Sequence, residues 1–142
     1  MKVFCFVLIE KNNNYLLNCE TSRRWKGKWF LPGGQMKTNE NPVNAMLREF
    51  KEETASEVIL DGIFYFIFNK GLLADELHIY YYGRTEDYTV KTVPDQHSIG
   101  TRWFNYEEIN QLPLRQNALQ IIDAYRSAKG SLPIYNFHYI TD

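Results

Sequence analysis

Two hydrophobic periods alternate along this chain. Val3 to Ile9 is a continuous apolar, β-rich run, and Tyr15 to Cys19 is a second one beyond the polar turn Asn12-Asn13-Asn14. Together they predict a hairpin whose first arm is largely buried. Thr21 to Lys28 is polar and basic, with Trp25 and Gly27 inside it, and reads as a loop. Lys28 to Leu31 predicts a short strand that ends at Pro32-Gly33-Gly34. From Asn41 to Ala55 the period becomes helical: Val43, Met46, Leu47, Phe50 and Thr54 form one stripe, well round the axis from the glutamates. Asn41 can cap this helix, and Pro42 occupies the first turn, where a missing N–H costs nothing. Val58 to Leu60 predicts a strand. Ile63 to Phe68 and His78 to Tyr82 predict longer ones around a turn region at Lys70-Gly71, and Thr101 to Phe104 another short one. Asn105 to Gln111 reads as a short helix. A closing helix spans Asn117 to Lys129, with Ala118, Ile121, Ile122, Tyr125 and Ala128 in register and Gly130 as its stop. The aromatic tail beyond Ser131 is expected to pack on the surface. Strand runs before, between and after two helices predict a mixed sheet layered by helices, an α/β (α+β) class.

Composition adds limits to this picture. A chain of 142 residues with 44% apolar content suits one domain over 1–142 with one core. A net charge of -1 argues against a surface built to hold nucleic-acid polymers. Small anions remain open as ligands, because a metal reverses the local field of an acidic site. Met1-Lys2 and the short run after it lack a small-residue cleavage site, so a strand is expected there and not a signal peptide. No apolar run approaches a membrane span. Cys5 and Cys19 lie on the two hairpin arms and are expected to be buried thiols in a cytoplasmic protein.

The chemistry concentrates on the first helix. Positions three and four apart are helix neighbours, so Glu49 meets both Glu52 and Glu53 on one face behind the Gly33-Gly34 turn. Carboxylates that close repel, and the usual remedy in a partly enclosed site is a hard divalent cation with oxygen ligands. A magnesium site is the expectation.

Gly34, Glu40, Arg48, Glu49, Glu52 and Glu53 fit the spacing G-x5-E-x7-R-E-U-x-E-E, with Phe50 as the apolar U. This pattern resembles the signature box of the Nudix hydrolases, and a chance match in a chain of this size is on the order of one in a million. The resemblance implies an α/β/α sandwich with a mixed sheet and a loop-helix-loop catalytic box. It also implies Mg2+-assisted attack of water on the pyrophosphate linkage of a nucleoside diphosphate linked to X, with Mn2+ as the other suitable ion. Carried over by position, Glu49 and Glu53 are direct ligands and Glu52 is a further ligand or the base. The Gly33 carbonyl completes the sphere, Arg48 orients the glutamates, and Glu40 stands in a second, more structural rank. Two positions depart from the pattern: Ala55 replaces a glycine at the helix end and Ser56 an aliphatic residue. A non-glycine residue there costs about 1 kcal/mol in the left-handed conformation, so a locally different helix exit is expected.

Related enzymes often add one acidic residue from a loop ahead of the last core strand. Asp95 is favoured as that ligand, with Glu86, Asp87 and His97 as the other candidates. In the stretch before the box, Arg24 offers a cation to phosphates and Trp25 a stacking face to a base, while Gly34 lets the main chain come close. Trp29, Lys26 and Lys28 are as readily core or plain surface. The compact length and the Leu31-Pro32-Gly33-Gly34 entry resemble the branch acting on nucleoside di- or triphosphates, including oxidised purine nucleotides. An ADP-ribose, nucleotide-sugar or dinucleoside-polyphosphate pyrophosphatase is the alternative, followed by a noncatalytic nucleotide sensor. The expected partner is a small nucleotide, with no membrane, and the protein a monomer or homodimer.

Overall fold

The first strand, β1 (Lys2–Lys11), is apolar at every position from Val3 to Ile9 because it is covered on both faces. Phe6 and Leu8 point to one side and Cys5, Val7 and Ile9 to the other. A computed structural model gives this architecture and describes residues 1–87 and 94–132. Asn12 and Asn13 both have left-handed backbones, as a tight two-residue hairpin turn demands, and deliver the chain into β2 (Asn14–Cys19). There follow β3 (Trp29–Phe30), β4 (Gly33–Gln35), helix α1 (Pro42–Thr54), β5 (Ile59–Asn69), β6 (Glu76–Arg84), β7 (Gly100–Asn105), α2 (Tyr106–Ile109) and α3 (Ala118–Ala128).

The sheet runs β3-β2-β1-β6-β5, with β4 also on β1 and β7 also on β2. β1 is parallel to β6 and antiparallel to β2 and β4, so the sheet is mixed as expected. On one face α1 packs Ala45, Met46 and Phe50 against Val7, Leu16, Ile79 and Tyr81. On the other, α3 packs Ile121 and Ile122 against Phe6, Leu17, Tyr80 and Phe104. The result is a sandwich with a helix on each side of the sheet. Each fully buried Val, Leu, Ile, Met or Phe side chain contributes about 1.5–3 kcal/mol.

Several local expectations change. The two strands expected over 58–68 are one continuous β5, with irregular register around Asp61 and Phe64. Asp61-Gly62 carries a turn signature, but here the departure from regular pairing is absorbed as a bulge. β3 is shorter than expected because the Lys28 N–H is used in a turn to Trp25 O, and Pro32 brings no donor. Helix α1 has the expected cap, Asn41 Oδ1 accepting the Asn44 N–H at 2.8 Å. Its exit is not rerouted: Ala55 takes the left-handed conformation itself, with φ 60°, and its N–H closes on Lys51 O. Gly130 does not stop α3 in that way, since a 3-10 turn over Lys129–Ser131 carries through it. The stripe on α1 also differs, because Glu53 lies on the buried side with Met46 and Phe50. The tail at 133–142 lies outside the described residues. No helix among the described residues is long and apolar enough to cross a membrane.

Candidate functional site

Three segments converge where β4 meets the middle of α1: the Gly33-Gly34 turn, the helix face itself and the chain leading into β7. Gly33 pairs with Phe6 and Gly34 with Cys5, which fixes the turn against the sheet. Glu53 then reaches inward. It is 4% exposed, its Oε1 accepts the Gly33 N–H at 2.7 Å, and its Oε2 accepts from Asn18 Nδ2. Asn18 is itself buried, and its Oδ1 accepts from the hydroxyl of buried Ser98. This chain of donors satisfies a carboxylate that would otherwise cost several kcal/mol to bury.

Arg48 gathers the remaining carboxylates. Its Nε and Nη2 donate to the two oxygens of Glu40, at 3.1 and 2.6 Å. Its Nη1 lies 3.0 Å from Glu49 Oε1 and 3.3 Å from Glu52 Oε2, and Nη2 also donates to the Gln35 carbonyl. One guanidinium thus faces three carboxylates, with Glu53 behind them. The imbalance shows in the ionisation. Burial pushes the Glu53 carboxyl well above its usual pKa, and the charge of Glu49 pushes the same way, against the Gly33 N–H. Burial also raises Glu49, only partly offset by Arg48. The hydrogen bond from Arg48 instead holds Glu40 below the usual carboxylate range.

Gly34 is where Cβ atoms have no room. A Cβ there would stand 2.6 Å from Glu49 Cδ, and one on Gly33 would stand 2.0 Å from the Cys5 carbonyl oxygen. Around these groups opens a cleft of about 580 Å3, which Glu49, Glu52 and Glu53 line from one side. Arg24, Trp25, Lys37, Glu76 and Arg115 line it too. Arg24 and Trp25, expected in a substrate wall, thus line the cleft, but Arg24 and Arg115 lie over the Trp25 ring at 4.7 and 5.2 Å. Cation–π contact, not an open indole face, is what the ring offers.

The loop carboxylate falls elsewhere. Asp95 is exposed and does not line the cleft; its Oδ1 accepts the N–H groups of His97 at 2.8 Å and Ser98 at 3.1 Å, closing a turn. That turn delivers His97 instead, with Nδ1 3.6 Å from Glu52 Oε2. Glu86 and Asp87 line a separate recess beside Ala55 and Ser56. Asn18 and Ser98 were not singled out from the sequence. A polar residue inside the apolar run Tyr15 to Cys19 is the signal that marks Asn18; Ser98 carries none, since an 80-residue separation joins it to Asn18.

In this arrangement no three His, Cys, Asp or Glu side chains among the described residues are grouped as a cation site. Glu53 turns to Asn18 and Gly33, and Glu49 and Glu52 share Arg48 Nη1. The donor set nevertheless fits a hard divalent ion. It is all oxygen, it carries more negative charge than its one arginine neutralises, and a glycine leaves the Glu49 carboxylate its space.

A family model described as NUDIX domain matches residues 1–125. The uncharacterized Nudix hydrolase YvcI of Bacillus subtilis is 26% identical over 128 residues, covering 88% of this chain and 79% of its own length. Among solved structures, a NUDIX hydrolase from Nitrosomonas europaea superposes with a TM-score of 0.81 at 22% identity, over 99% of this chain and 97% of that one. The NUDIX domain of Shewanella oneidensis NrtR, solved with ADP ribose, gives 0.73 at 19% identity, over 90% and 86%. These structural likenesses concern the fold.

Proposed function

The chain belongs to the NUDIX domain family, and from that membership we propose that it is a magnesium-dependent pyrophosphohydrolase of nucleoside di- or triphosphates, oxidised purine nucleotides included. The observation that carries this is the row Glu49, Glu52 and Glu53, the first two paired with one arginine, at the edge of a cleft that also carries Arg24 and Lys37. Anionic and cationic groups lining one cleft of nucleotide size suit a phosphate chain lying between them.

The residues that would hold a divalent cation are Glu49, Glu52, Glu53 and the Gly33 main chain, with Mn2+ able to replace Mg2+. Such an ion, when bound, polarises phosphoryl oxygens and lowers the pKa of water. The protein supplies position and charge. Arg48 keeps Glu49 and Glu52 in one orientation while Glu40 anchors the arginine from behind. Asn18 and the Gly33 N–H fix both Glu53 oxygens. Arg24 and Lys37 offset the charge of the phosphates, which otherwise repels a nucleophile. Glu52, at 28% exposure and beside His97, is the carboxylate best placed to accept a proton from water.

Hydrolysis of a panel of nucleoside di- and triphosphates, ADP-ribose, nucleotide sugars and dinucleoside polyphosphates, with Mg2+ present, tests the assignment. Glu53→Gln should lower kcat by about 100-fold or more. Equal turnover by that variant would remove Glu53 from the site, and tight binding without cleavage of any panel member would make the protein a sensor.

A further inference from the structure

The cleft wall away from the carboxylate row carries chemistry that cleavage of a pyrophosphate does not need. Glu76, at the start of β6, lies level with Lys2 of β1, and His78 lies level with Phe4. Burial pushes the His78 imidazole below its usual pKa, which keeps it neutral. Its Nε2 donates to Glu76 Oε2 at 3.0 Å, and the Tyr80 hydroxyl donates to its Nδ1 at 3.4 Å. One tautomer satisfies both contacts. This relay fixes Glu76 and leaves its Oε1 without a hydrogen-bond partner among the described residues.

Arg115 enters the same wall from the chain before α3. It is anchored to Glu20 at 2.9 Å, and its guanidinium stands 4.5 Å from the Phe30 ring. Glu76 and Arg115 line both the main cleft and a recess of about 70 Å3 beside it, with His78 and Trp25 among the recess walls. The recess presents a fixed anionic acceptor and a fixed cationic donor among aromatic rings. It has room for the edge of a base, not for a whole one.

Distance supports a nucleotide lying between the two ends. Gly34 is level with Cys5 and Glu76 with Lys2, three residues along β1 and two strands across, a backbone separation of about 14 Å. A nucleotide stretched from its distal phosphates to the outer edge of its base has that scale.

Resting on the hydrolase assignment above, we propose that Glu76 and Arg115 read the nucleobase and select a lactam edge, a ring N–H beside a carbonyl, so that guanine is preferred over adenine. Arg115 donates to the O6 carbonyl, while Glu76 accepts from N1–H and the exocyclic N2 amino group. Adenine presents the reverse pattern. Its amino group meets the guanidinium and its N1 lone pair meets the carboxylate, leaving polar groups on both sides unpaired. Hypoxanthine keeps the lactam but lacks the second donor, so it falls between the two.

Steady-state kcat/KM for GTP, ITP and ATP with Mg2+, on wild type and Glu76→Gln, tests this. Wild type should favour GTP over ATP by about ten- to a hundredfold, with ITP between. Glu76→Gln keeps an oxygen for His78 but places an amino group against the base donors, and the GTP/ATP ratio should fall about tenfold. Equal use of the two by wild type, or a ratio that survives Glu76→Gln, overturns the proposal while leaving the hydrolase assignment standing. Binding of GMP and AMP without divalent cation, followed by NMR, reads the subsite apart from catalysis. Tighter GMP binding by a protein that cleaves no nucleotide would keep the subsite and remove the hydrolase; equal binding would remove the subsite.

Discussion

Adding one methyl group at each of two adjacent glycines separates the site from the fold. In Gly34→Ala the new Cβ would stand 2.6 Å from Glu49 Cδ and 2.7 and 2.8 Å from its oxygens, where ordinary contact begins near 3.4 Å. The obstacle is the far end of a flexible side chain, so the carboxylate moves and the backbone stays. A retreat of roughly 0.8 Å takes Glu49 Oε1 out of reach of Arg48 Nη1, now at 3.0 Å. Both partners are about one-fifth exposed, so losing this bond costs about 1 kcal/mol of stability, or roughly 2–4 °C in Tm. The same shift displaces one of the proposed Mg2+ ligands, and Mg2+ affinity should fall about 10- to 100-fold.

Gly33→Ala meets a different obstacle. Its Cβ would lie 2.0 Å from the Cys5 carbonyl oxygen and 2.7 Å from Phe6 Cα, both backbone atoms inside the β1–β4 pairing. Its φ of 148° is also one that L side chains rarely adopt. The pairing has to open, which withdraws the Gly33 N–H from buried Glu53, at a cost of about 3 kcal/mol or more. Thermal melts and Mg2+ calorimetry on the two variants make the comparison. A Gly34→Ala protein with wild-type Mg2+ affinity and turnover, or a Gly33→Ala protein with wild-type Tm, would refute this account of the turn.

Ala55→Gly should raise stability by about 0.5–1 kcal/mol, seen as a higher midpoint in urea, because the exposed cap already holds φ 60°. Asn18→Leu removes the donor that holds Glu53 Oε2 and the acceptor used by Ser98; it should cost about 2–4 kcal/mol by chemical denaturation, well above a surface substitution. The Glu53 carboxyl is raised in the folded state, so the native protein holds a proton there that the unfolded chain releases near pH 4.5. Stability of the cation-free protein should therefore decline as pH climbs from there through the folded pKa, a decline absent from Glu53→Gln and reversed by Mg2+ at pH 8. Melting curves at pH 5.5 and 8 in EDTA, compared between wild type and variant, measure it.

How far the sequence exposes this protein depends on the range over which each feature is decided. The start of helix α1, though not its exit at Ala55, was legible because Asn41, Pro42 and the apolar stripe act within a few residues of one another. The carboxylate row was legible for the same reason, since helix geometry alone makes Glu49, Glu52 and Glu53 neighbours. The same rule misplaced Glu53 on the polar face. What draws it inward is the Gly33 N–H, 20 residues away, and Asn18, 35 residues away, and neither contact leaves a trace in local periodicity. Asp95 failed similarly: a carboxylate ahead of β7 is as able to close its own turn as to face a cleft. With Asp95 spent on the His97 and Ser98 N–H groups, the turn sends the His97 side chain to Glu52 and the Ser98 hydroxyl to Asn18. Local turn chemistry thus decides that this loop reaches Glu52 through His97 and buried Glu53 through Ser98 and Asn18. It follows that Asp95→Ala should act at a distance, loosening Ser98 and His97 together and weakening the hold on Glu53 and Glu52, although Asp95 itself never enters the cleft.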